Sequence, residues 1–316
     1  LRLTNTLRPD EDLAHPVCQA IEESARQIQA NFERDMTVFG EAADSLEGLE
    51  QSRKTLSLNR AVPLMVVIER EARREQARSR SARAVKALCA TDVPMPVKVF
   101  LERLWVRVLA HVHQISGDKS QEWIHALATA NRLIESVQPK TDAEARKALV
   151  GDLPALLGEL RAGLDLIAAP ESLRERALHS FAVLHAAALH GKQPDKLAQQ
   201  DTLPPPVAPR IDTVPEFPRL QIIRLSPDSE PERELPDGFL HLKPGDRLQL
   251  GLPDASRKNF QVSWIGGMPR MLLLARPEDD ATLLLPLRWL ASQADARSLS
   301  VEEPFERAAC TAMKSR

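Results

Sequence analysis

Two arginines and a polar loop in the C-terminal third carry the side chains best suited to binding a charged ligand. Arg219 and Arg224 flank an apolar segment, and Asp254 and Ser256 lie in a turn-forming stretch. A guanidinium group is planar and always charged, so it forms paired hydrogen bonds with phosphate and stacks on purine rings. These four residues are therefore the candidate ligand-binding residues of the chain.

The stretch Asp254-Ala-Ser256-Arg-Lys-Asn259 differs by one residue from Asp-x-Ser-x-x-Gly. It resembles half of the signature of PilZ domains, and asparagine tolerates the left-handed backbone of such a turn. The other half of that signature is two arginines four residues apart, whereas Arg219 and Arg224 are five apart and would face opposite sides of an extended segment. The resemblance implies cyclic di-GMP as a ligand. The alternative is a polar loop between two strands.

The sequence lacks the short motifs of common enzyme chemistries. It contains no Gly-x-x-x-x-Gly-Lys-Ser/Thr phosphate loop, no Gly-x-Gly-x-x-Gly and no Gly-x-Ser-x-Gly nucleophile elbow. His111 and His113 are two residues apart, so on a helix they point to different faces and do not make a metal site. We predict no catalytic residue, no metal and no cofactor, with cyclic di-GMP as the alternative. An enzyme whose site is assembled from distant residues, for instance between two domains, is a further alternative.

An arginine-rich segment follows Ile68. Six arginines lie between residues 70 and 83, and Glu69, Glu71 and Glu75 are interleaved with them. Arginines on a helix can neutralise phosphates, but mixed signs are typical of a solvated helix face or a coiled-coil flank. We therefore predict that nucleic acid is not a partner.

A proline-rich stretch divides the chain. It runs from Thr202 to Arg210 and continues through Pro215 and Pro218. Proline lacks an N–H group and fixes φ, so this stretch is extended and semi-rigid. The apolar pattern is helical before it and strand-like after it. The sequence predicts an α+β, multidomain protein: a helical domain over 1–192, a linker over 193–218, and a small antiparallel PilZ-like β-barrel with a C-terminal helix over 219–316.

The helical domain is predicted to contain a long antiparallel hairpin and a bundle. Residues 12–51 keep a heptad register with a polar interruption at Asp35, and residues 60–90 form the second helix of a hairpin over 12–90. Residues 94–191 form a helical bundle.

Local signals set several boundaries. Ser120 is a predicted N-cap, and Thr141-Asp-Ala-Glu144 is a predicted capping box. In the C-terminal domain, Lys243-Pro-Gly-Asp246 is a predicted turn and Gly266-Gly267 turns a hairpin. A final helix is predicted from Pro304 to Met313.

Composition agrees with a protein that buries a core. The 316 residues are 43% hydrophobic, and the formal net charge of −2 gives no steering toward nucleic acid or anionic lipid. The three cysteines are far apart and odd in number, which favours a reducing cytoplasm. No apolar run reaches the length of a membrane span. Because the chain begins at Leu1 without methionine, we expect it to be a piece of a longer protein.

Several segments together resemble the proteobacterial domain-of-unknown-function family 1631. They are Ser136-Val-Gln-Pro-Lys140, Leu160-Arg-Ala-Gly-Leu164, Leu184-His-Ala-Ala-Ala-Leu189, Val262-Ser-Trp264 and Phe305-Glu-Arg-Ala308. The resemblance covers most of the chain and implies that it is the C-terminal portion of a longer member, with a PilZ-like last domain. It implies no catalytic residues.

We predict a non-enzymatic, cytoplasmic regulatory or adaptor protein. Its helical domain would bind a protein partner or a second copy, because helices with a heptad seam pair within a chain or between chains. The degenerate PilZ-like domain would supply a second surface. The alternative is a cyclic di-GMP effector that binds the nucleotide through Arg219, Arg224, Asp254 and Ser256.

Overall fold

The fold is seen in a computed structural model. It describes residues 16–31, 35–90, 92–192, 208–227, 239, 242–254, 256–276, 281–293 and 299–301. For residues 16–18, 49–60, 292–293 and 299–301 only the backbone is described. The predicted helix Pro304–Met313 and residues 193–207 of the predicted linker lie outside the described residues.

The N-terminal part is helical and the C-terminal part is a sheet, so the predicted α+β class is confirmed. The helices are α1 (Pro16–Asn31), α2 (Val38–Ala61), α3 (Met65–Leu88), α4 (Met95–Phe100), α5 (Val106–Ser116), α6 (Gln121–Ser136), α7 (Ala143–Leu166), α8 (Glu171–Leu189) and α9 (Trp289–Gln293). A 3₁₀ turn (Val62–Leu64) joins α2 to α3, and a π turn (Leu101–Trp105) joins α4 to α5. No helix of the described residues combines the length and the apolarity needed to cross a bilayer.

The predicted single helix over 12–51 is wrong, because the chain forms two helices there. Asp35 Oδ1 accepts hydrogen bonds from the backbone N–H of Thr37 at 2.9 Å and from its hydroxyl at 2.7 Å. Such local bonds compete with helix continuation, and α2 begins only at Val38. The polar interruption that the sequence shows at Asp35 therefore separates α1 from α2.

The predicted turn of the hairpin, between residues 51 and 60, is also wrong. The helix α2 runs to Ala61 and passes through the 3₁₀ turn directly into α3. Pro63 lies in the first turn of that 3₁₀ segment, where its missing N–H group is tolerated. The helices that pack against each other here are α1 and α2.

Two predicted helix starts can be compared with the structure. Ser120 is the N-cap of α6, and its hydroxyl accepts a hydrogen bond from Trp123 N at 3.1 Å. For α7 the N-cap is Asp142 rather than Thr141, and Asp142 Oδ1 accepts from Ala145 N at 2.7 Å. The predicted capping box is therefore wrong: the carboxylate of Asp142 caps the helix, and Ala145, three residues later, has no side chain that could bond back to the N-cap.

Among the described residues, seven strands form one sheet in the order β1-β2-β6-β5-β4-β3-β7. They are β1 (Arg210–Val214), β2 (Phe217–Arg224), β3 (Arg247–Gly251), β4 (Arg257–Gly266), β5 (Met271–Ala275), β6 (Thr282–Pro286) and β7 (Leu299–Val301). The predicted hairpin at Gly266-Gly267 is confirmed as the β4–β5 pair. The prediction that all strands pair in an antiparallel manner is wrong, because β2 and β6 pair in parallel, with Leu220 beside Thr282.

The predicted linker extends too far toward the C-terminus. Within the predicted 193–218 segment, residues 210–214 form β1, which pairs with β2 in an antiparallel ladder. Two of the prolines are compatible with this sheet. Pro215 lies between the two strands, and Pro218 precedes the residues of β2 that pair with β6. A proline at such positions removes no hydrogen bond from the centre of the sheet.

The described residues form two compact units, which divide the chain differently from the predicted domains. The sheet unit comprises those up to Arg70, those from Arg210 to Arg224, and those from residue 239 onward. The helical unit comprises those from Glu71 to Pro209 and from Leu225 to residue 227. Helices α1 and α2 thus belong with the strands, and α2 packs against β4. Whether the predicted segments 1–192 and 219–316 fold as independent domains stays a prediction.

In the helical unit, aromatic residues form the centre of the core. Phe100 meets Phe181 edge to face, with ring centroids 4.9 Å apart. Trp105 is 2% exposed, and its Nε1 donates to Ala126 O at 3.0 Å. The core also contains Leu156, Leu160 and Leu164 of α7.

In the sheet unit, the middle strands are buried on both faces. Every residue of β5 is buried, and so are residues 283–286 of β6. A continuous apolar run such as Met271-Leu-Leu-Leu274 is typical of a strand covered on both sides. The rim of this unit, rather than its centre, is therefore where a ligand can bind.

Candidate functional site

Arg224, one of the predicted ligand-binding residues, is held by a carboxylate of the neighbouring strand. Its Nη1 donates to Asp212 Oδ2 at 2.8 Å, and Arg210 Nε lies 3.2 Å from the same oxygen. Arg210 and Arg224 are directly opposite each other in the β1–β2 register. Like charges in such a position repel, so Asp212 compensates for both.

Arg219 lies in a different environment, at an open groove of about 340 Å³. Its side chain is exposed at the start of β2. The groove is lined by Leu64, Glu216, Phe217, Pro218, Arg219, Leu220 and Thr282. The lining is mainly apolar, and Thr282 Oγ1 donates to Arg219 O at 3.3 Å across the parallel β2–β6 pair. Tertiary pairing creates this groove, and no local sequence motif indicates it.

Asp254 and Ser256 form an ordered turn between β3 and β4. Asp254 Oδ1 accepts hydrogen bonds from Ser256 Oγ at 2.6 Å and from Ser256 N at 3.0 Å. These two bonds hold the pKa of Asp254 below its usual value. The Asp-x-Ser spacing therefore serves the turn itself in this structure.

Along the sheet, the strand order separates the two arginines from Asp254 and Ser256. Strands β6 and β5 lie between β2 and β4. At the usual strand spacing this is about 14 Å along the sheet. Arg219 and Arg224 lie on β2, and the turn of Asp254 and Ser256 joins β3 to β4, on the other side of strands β6 and β5.

The arginine-rich helix α3 has a buried polar face, which the sequence pattern did not predict. Glu71, Glu75 and Arg78 are each only 4% exposed. Glu75 is bound by Arg78 through two hydrogen bonds of 2.9 Å, and Glu71 by Arg74 Nη1 at 3.0 Å. The interpretation as a solvated face is therefore wrong for Glu71 and Glu75, whereas Glu69 is exposed.

A buried serine and histidine connect two helices of the helical unit. Ser136 Oγ and His185 Nε2 are 2.9 Å apart, and Ser136 Oγ donates to Leu133 O at 2.8 Å. Burial, together with the charge of Lys140, lowers the pKa of His185 and so favours the neutral imidazole. Both side chains are less than a tenth exposed. The pair therefore joins the ends of α6 and α8 and does not present a nucleophile to solvent.

A second polar cluster connects α6 and α7. Glu159 accepts hydrogen bonds from Thr129 Oγ1 at 2.7 Å and from Arg132 Nη1 at 2.8 Å. Burial alone would raise the pKa of Glu159, but these donors outweigh it and hold the pKa below its usual value. No sequence signal predicted this cluster, because Thr129 and Glu159 are thirty residues apart.

The described residues include no group of three or more histidine, cysteine, aspartate or glutamate side chains arranged to hold a metal ion. Cys89 is half-buried, and burial raises the pKa of its thiol to about 11. A thiol with so high a pKa is a poor nucleophile at neutral pH.

Comparison with known proteins identifies the helical unit. Residues 67–182 match a family described as "Protein of unknown function (DUF1631) third domain". No curated protein and no solved structure matches the chain. The matched segment runs from the first turn of α3 into α8 and therefore includes the aromatic core and the cluster of Thr129, Arg132 and Glu159, but not His185. This match supports the DUF1631 family and places its third domain at residues 67–182.

Proposed function

We propose that the protein is a non-enzymatic adaptor that binds a partner protein through the groove beside Arg219. The observation that carries this proposal is the combination of an apolar lining with two charged residues at one open site. Leu64, Phe217 and Leu220 supply the apolar surface, and Glu216 and Arg219 supply the charges. The cytoplasmic location stays a prediction from the sequence.

The groove has the composition of a protein-binding site. Interface cores bury apolar and aromatic side chains, while a polar rim fixes their orientation. The volume of about 340 Å³ lies at the small end of ligand pockets. An apolar side chain of a partner fits such an open groove better than a polar metabolite, which needs several converging donors and acceptors.

Exposed apolar side chains occur in the same helical segment that provides Leu64. Val62 is 65% exposed and Val66 is 75% exposed, one helical turn apart. Single exposed apolar residues are ordinary, but a pair on one face makes a small patch. This patch supports a second point of contact for a partner in the sheet unit.

Site-specific photo-crosslinking tests the adaptor function. A photoreactive amino acid replaces Glu216, which is exposed and lines the groove. The matched control carries it at Lys243, which is exposed in the turn before β3. We expect a discrete crosslinked protein from position 216 only, and its loss in a Phe217→Ala background. Equal products from both positions, or crosslinks that survive Phe217→Ala, would refute the proposal.

A second proposal is that the sheet is a PilZ-like barrel that binds cyclic di-GMP. Arg219 is exposed at the groove, and Asp254 and Ser256 keep the Asp-x-Ser spacing of the PilZ signature and are hydrogen-bonded to each other, which supports this alternative. Arg224 would first have to exchange Asp212 for a phosphate. Calorimetry with cyclic di-GMP, and with a linear guanine dinucleotide as control, separates the two proposals. Binding that discriminates against the control and is lost in Arg219→Ala supports the nucleotide, and silence supports the adaptor.

A further inference from the structure

The strand β1 forms one edge of the sheet. It has β2 on one side and no described strand on the other. Alternate residues of an edge strand direct their N–H and C=O groups away from the sheet. Within the described residues, the backbone hydrogen bonds of Arg210–Val214 all belong to the pair with β2. The outer side of β1 can therefore accept another strand.

The side chains of β1 are accessible and carry both signs of charge. The side chain of Arg210 is 69% exposed, Thr213 is exposed, and Ile211 and Asp212 are half-buried. Proteins commonly protect an edge strand from pairing with prolines or with charges of one sign. Here the last proline before the strand is Pro209, and the two charges of the strand are opposite. The strand is therefore not protected against pairing with a copy of itself.

One antiparallel register makes β1 complementary to itself. If a two-fold axis passes beside Ile211, this residue lies opposite its own copy, and Arg210 lies opposite Asp212 of the second copy on both sides of the axis. Opposite charges and β-branched side chains in such positions stabilise a strand pair. A register centred on Asp212 would instead place two carboxylates opposite each other, and one centred on Thr213 would place Asp212 opposite the buried Val214.

The carboxylate of Asp212 can bind a further guanidinium group. Arg210 Nε and Arg224 Nη1 both contact Oδ2, at 3.2 and 2.8 Å. A carboxylate offers acceptor positions on both of its oxygens, and the side chain of Asp212 is still 25% exposed. Its Oδ1 can therefore accept from Arg210 of the second copy while Oδ2 keeps its contact with Arg224.

We propose that two copies of the chain pair through β1 in the antiparallel register centred on Ile211. In this register Pro209 lies opposite Thr213 and cannot donate a hydrogen bond, so the paired segment is short. A short strand pair buries little surface, which is typical of a transient dimer. No residue of β1 lines the groove beside Arg219, so this surface goes beyond the adaptor site proposed above.

Disulfide trapping in the full chain tests the register. Ile211→Cys and its matched control Thr213→Cys lie on the same face of β1, and each is made in a Cys18→Ser/Cys310→Ser background and treated with oxidised glutathione. In the proposed register the two Cβ atoms at position 211 are about 5 Å apart, whereas those at position 213 are about 13 Å apart. We expect a disulfide-linked dimer on a non-reducing gel from Ile211→Cys, and no more dimer from Thr213→Cys than from the background variant.

Charge reversal tests the two ion pairs. Arg210→Glu places a carboxylate opposite Asp212 twice in the dimer and is expected to raise the dissociation constant, measured by sedimentation equilibrium, about tenfold. The matched control Lys243→Glu makes the same charge change on an exposed residue of the turn before β3 and is expected to leave the dissociation constant unchanged.

Three outcomes would overturn the proposal. They are a chain that stays monomeric at every concentration and gives no disulfide dimer from Ile211→Cys, equal trapping at positions 211 and 213, and an unchanged dissociation constant in Arg210→Glu. Because Ile211→Cys leaves both charged residues in place, the trapping experiment still decides the question if Arg210→Glu fails to fold.

Discussion

Gly163 lies directly against Trp105, and replacing it by alanine tests the packing of the helical core. A Cβ at this position of α7 would be 2.6 Å from both Cη2 and Cζ3 of Trp105 and 3.4 Å from Val108 Cγ1. Carbon atoms in ordinary contact are about 3.5–4.0 Å apart. The new methyl group therefore requires Trp105 or α7 to move by about 1 Å.

The magnitude follows from three opposing effects. Alanine favours a helix over glycine by about 1 kcal/mol. Overpacking a core costs about 1–3 kcal/mol. Trp105 Nε1 donates to Ala126 O in a buried site, so a displaced ring also risks an unpaired buried N–H group, which costs a further 1–3 kcal/mol or so. We expect Gly163→Ala to lower the free energy of unfolding by about 2 kcal/mol.

Gly158 is the matched control in the same helix. An added Cβ there meets no atom within 4 Å, so Gly158→Ala is expected to raise stability by about 0.5–1 kcal/mol. Urea unfolding of the full chain, followed by far-UV circular dichroism, compares the two midpoints. Trp105→Phe removes the ring edge that causes the clash, so the double variant should lose less than the sum of the two single changes. Equal stabilisation by both alanines would show that the contact with Trp105 is wrong.

Three further predictions concern buried polar groups. The pKa of His185 is lowered by burial and by Lys140, so its contribution to stability is present above the unfolded pKa of about 6.5 and is lost as pH falls below that value. Urea midpoints measured at several pH values should therefore fall on acidification, and His185→Gln should reduce this dependence of stability on pH. An unchanged dependence in His185→Gln would contradict the assignment. The pKa of the Cys89 thiol is raised to about 11, so this thiol should react far more slowly with a thiol reagent in the native state than in the denatured state. A Cys18→Ser/Cys310→Ser variant, in which Cys89 is the remaining cysteine, allows the two rates to be compared. Equal rates would refute the burial of Cys89. Arg78→Met leaves the buried Glu75 carboxylate without its bidentate partner and should lower the free energy of unfolding by about 3–5 kcal/mol. The control Arg80→Met, on the exposed face, should change the free energy of unfolding by at most about 0.5 kcal/mol. Similar effects of the two variants would show that Glu75 is not buried.

Features that depend on nearby residues were predictable. The N-cap Ser120, the turn at Lys243-Pro-Gly-Asp246 and the hairpin at Gly266-Gly267 are all observed. In each case the signal and the structure lie within a few residues of one another, so backbone preferences and side-chain caps are sufficient.

Features that depend on distant residues were not predictable. The groove beside Arg219 requires the parallel pairing of Leu220 with Thr282, and these two residues are far apart in the chain. The burial of Glu71 and Glu75 also depends on what covers α3, because their sequence context is that of a charged surface helix. The four residues of the candidate nucleotide site were chosen by local resemblance, and the strand order separates them.

The sequence alone therefore determined the type and many of the limits of the secondary structure and the change from helices to strands. These properties follow from periodicity, capping and turn residues, which act over one or two helical turns or a single hairpin. Tertiary structure alone decided that α1 and α2 belong with the sheet, that β1 forms in the proline-rich stretch, and which face of α3 is charged on the outside. The physical reason is that burial and strand pairing are set by contacts between segments distant in the chain, and these contacts override local preference.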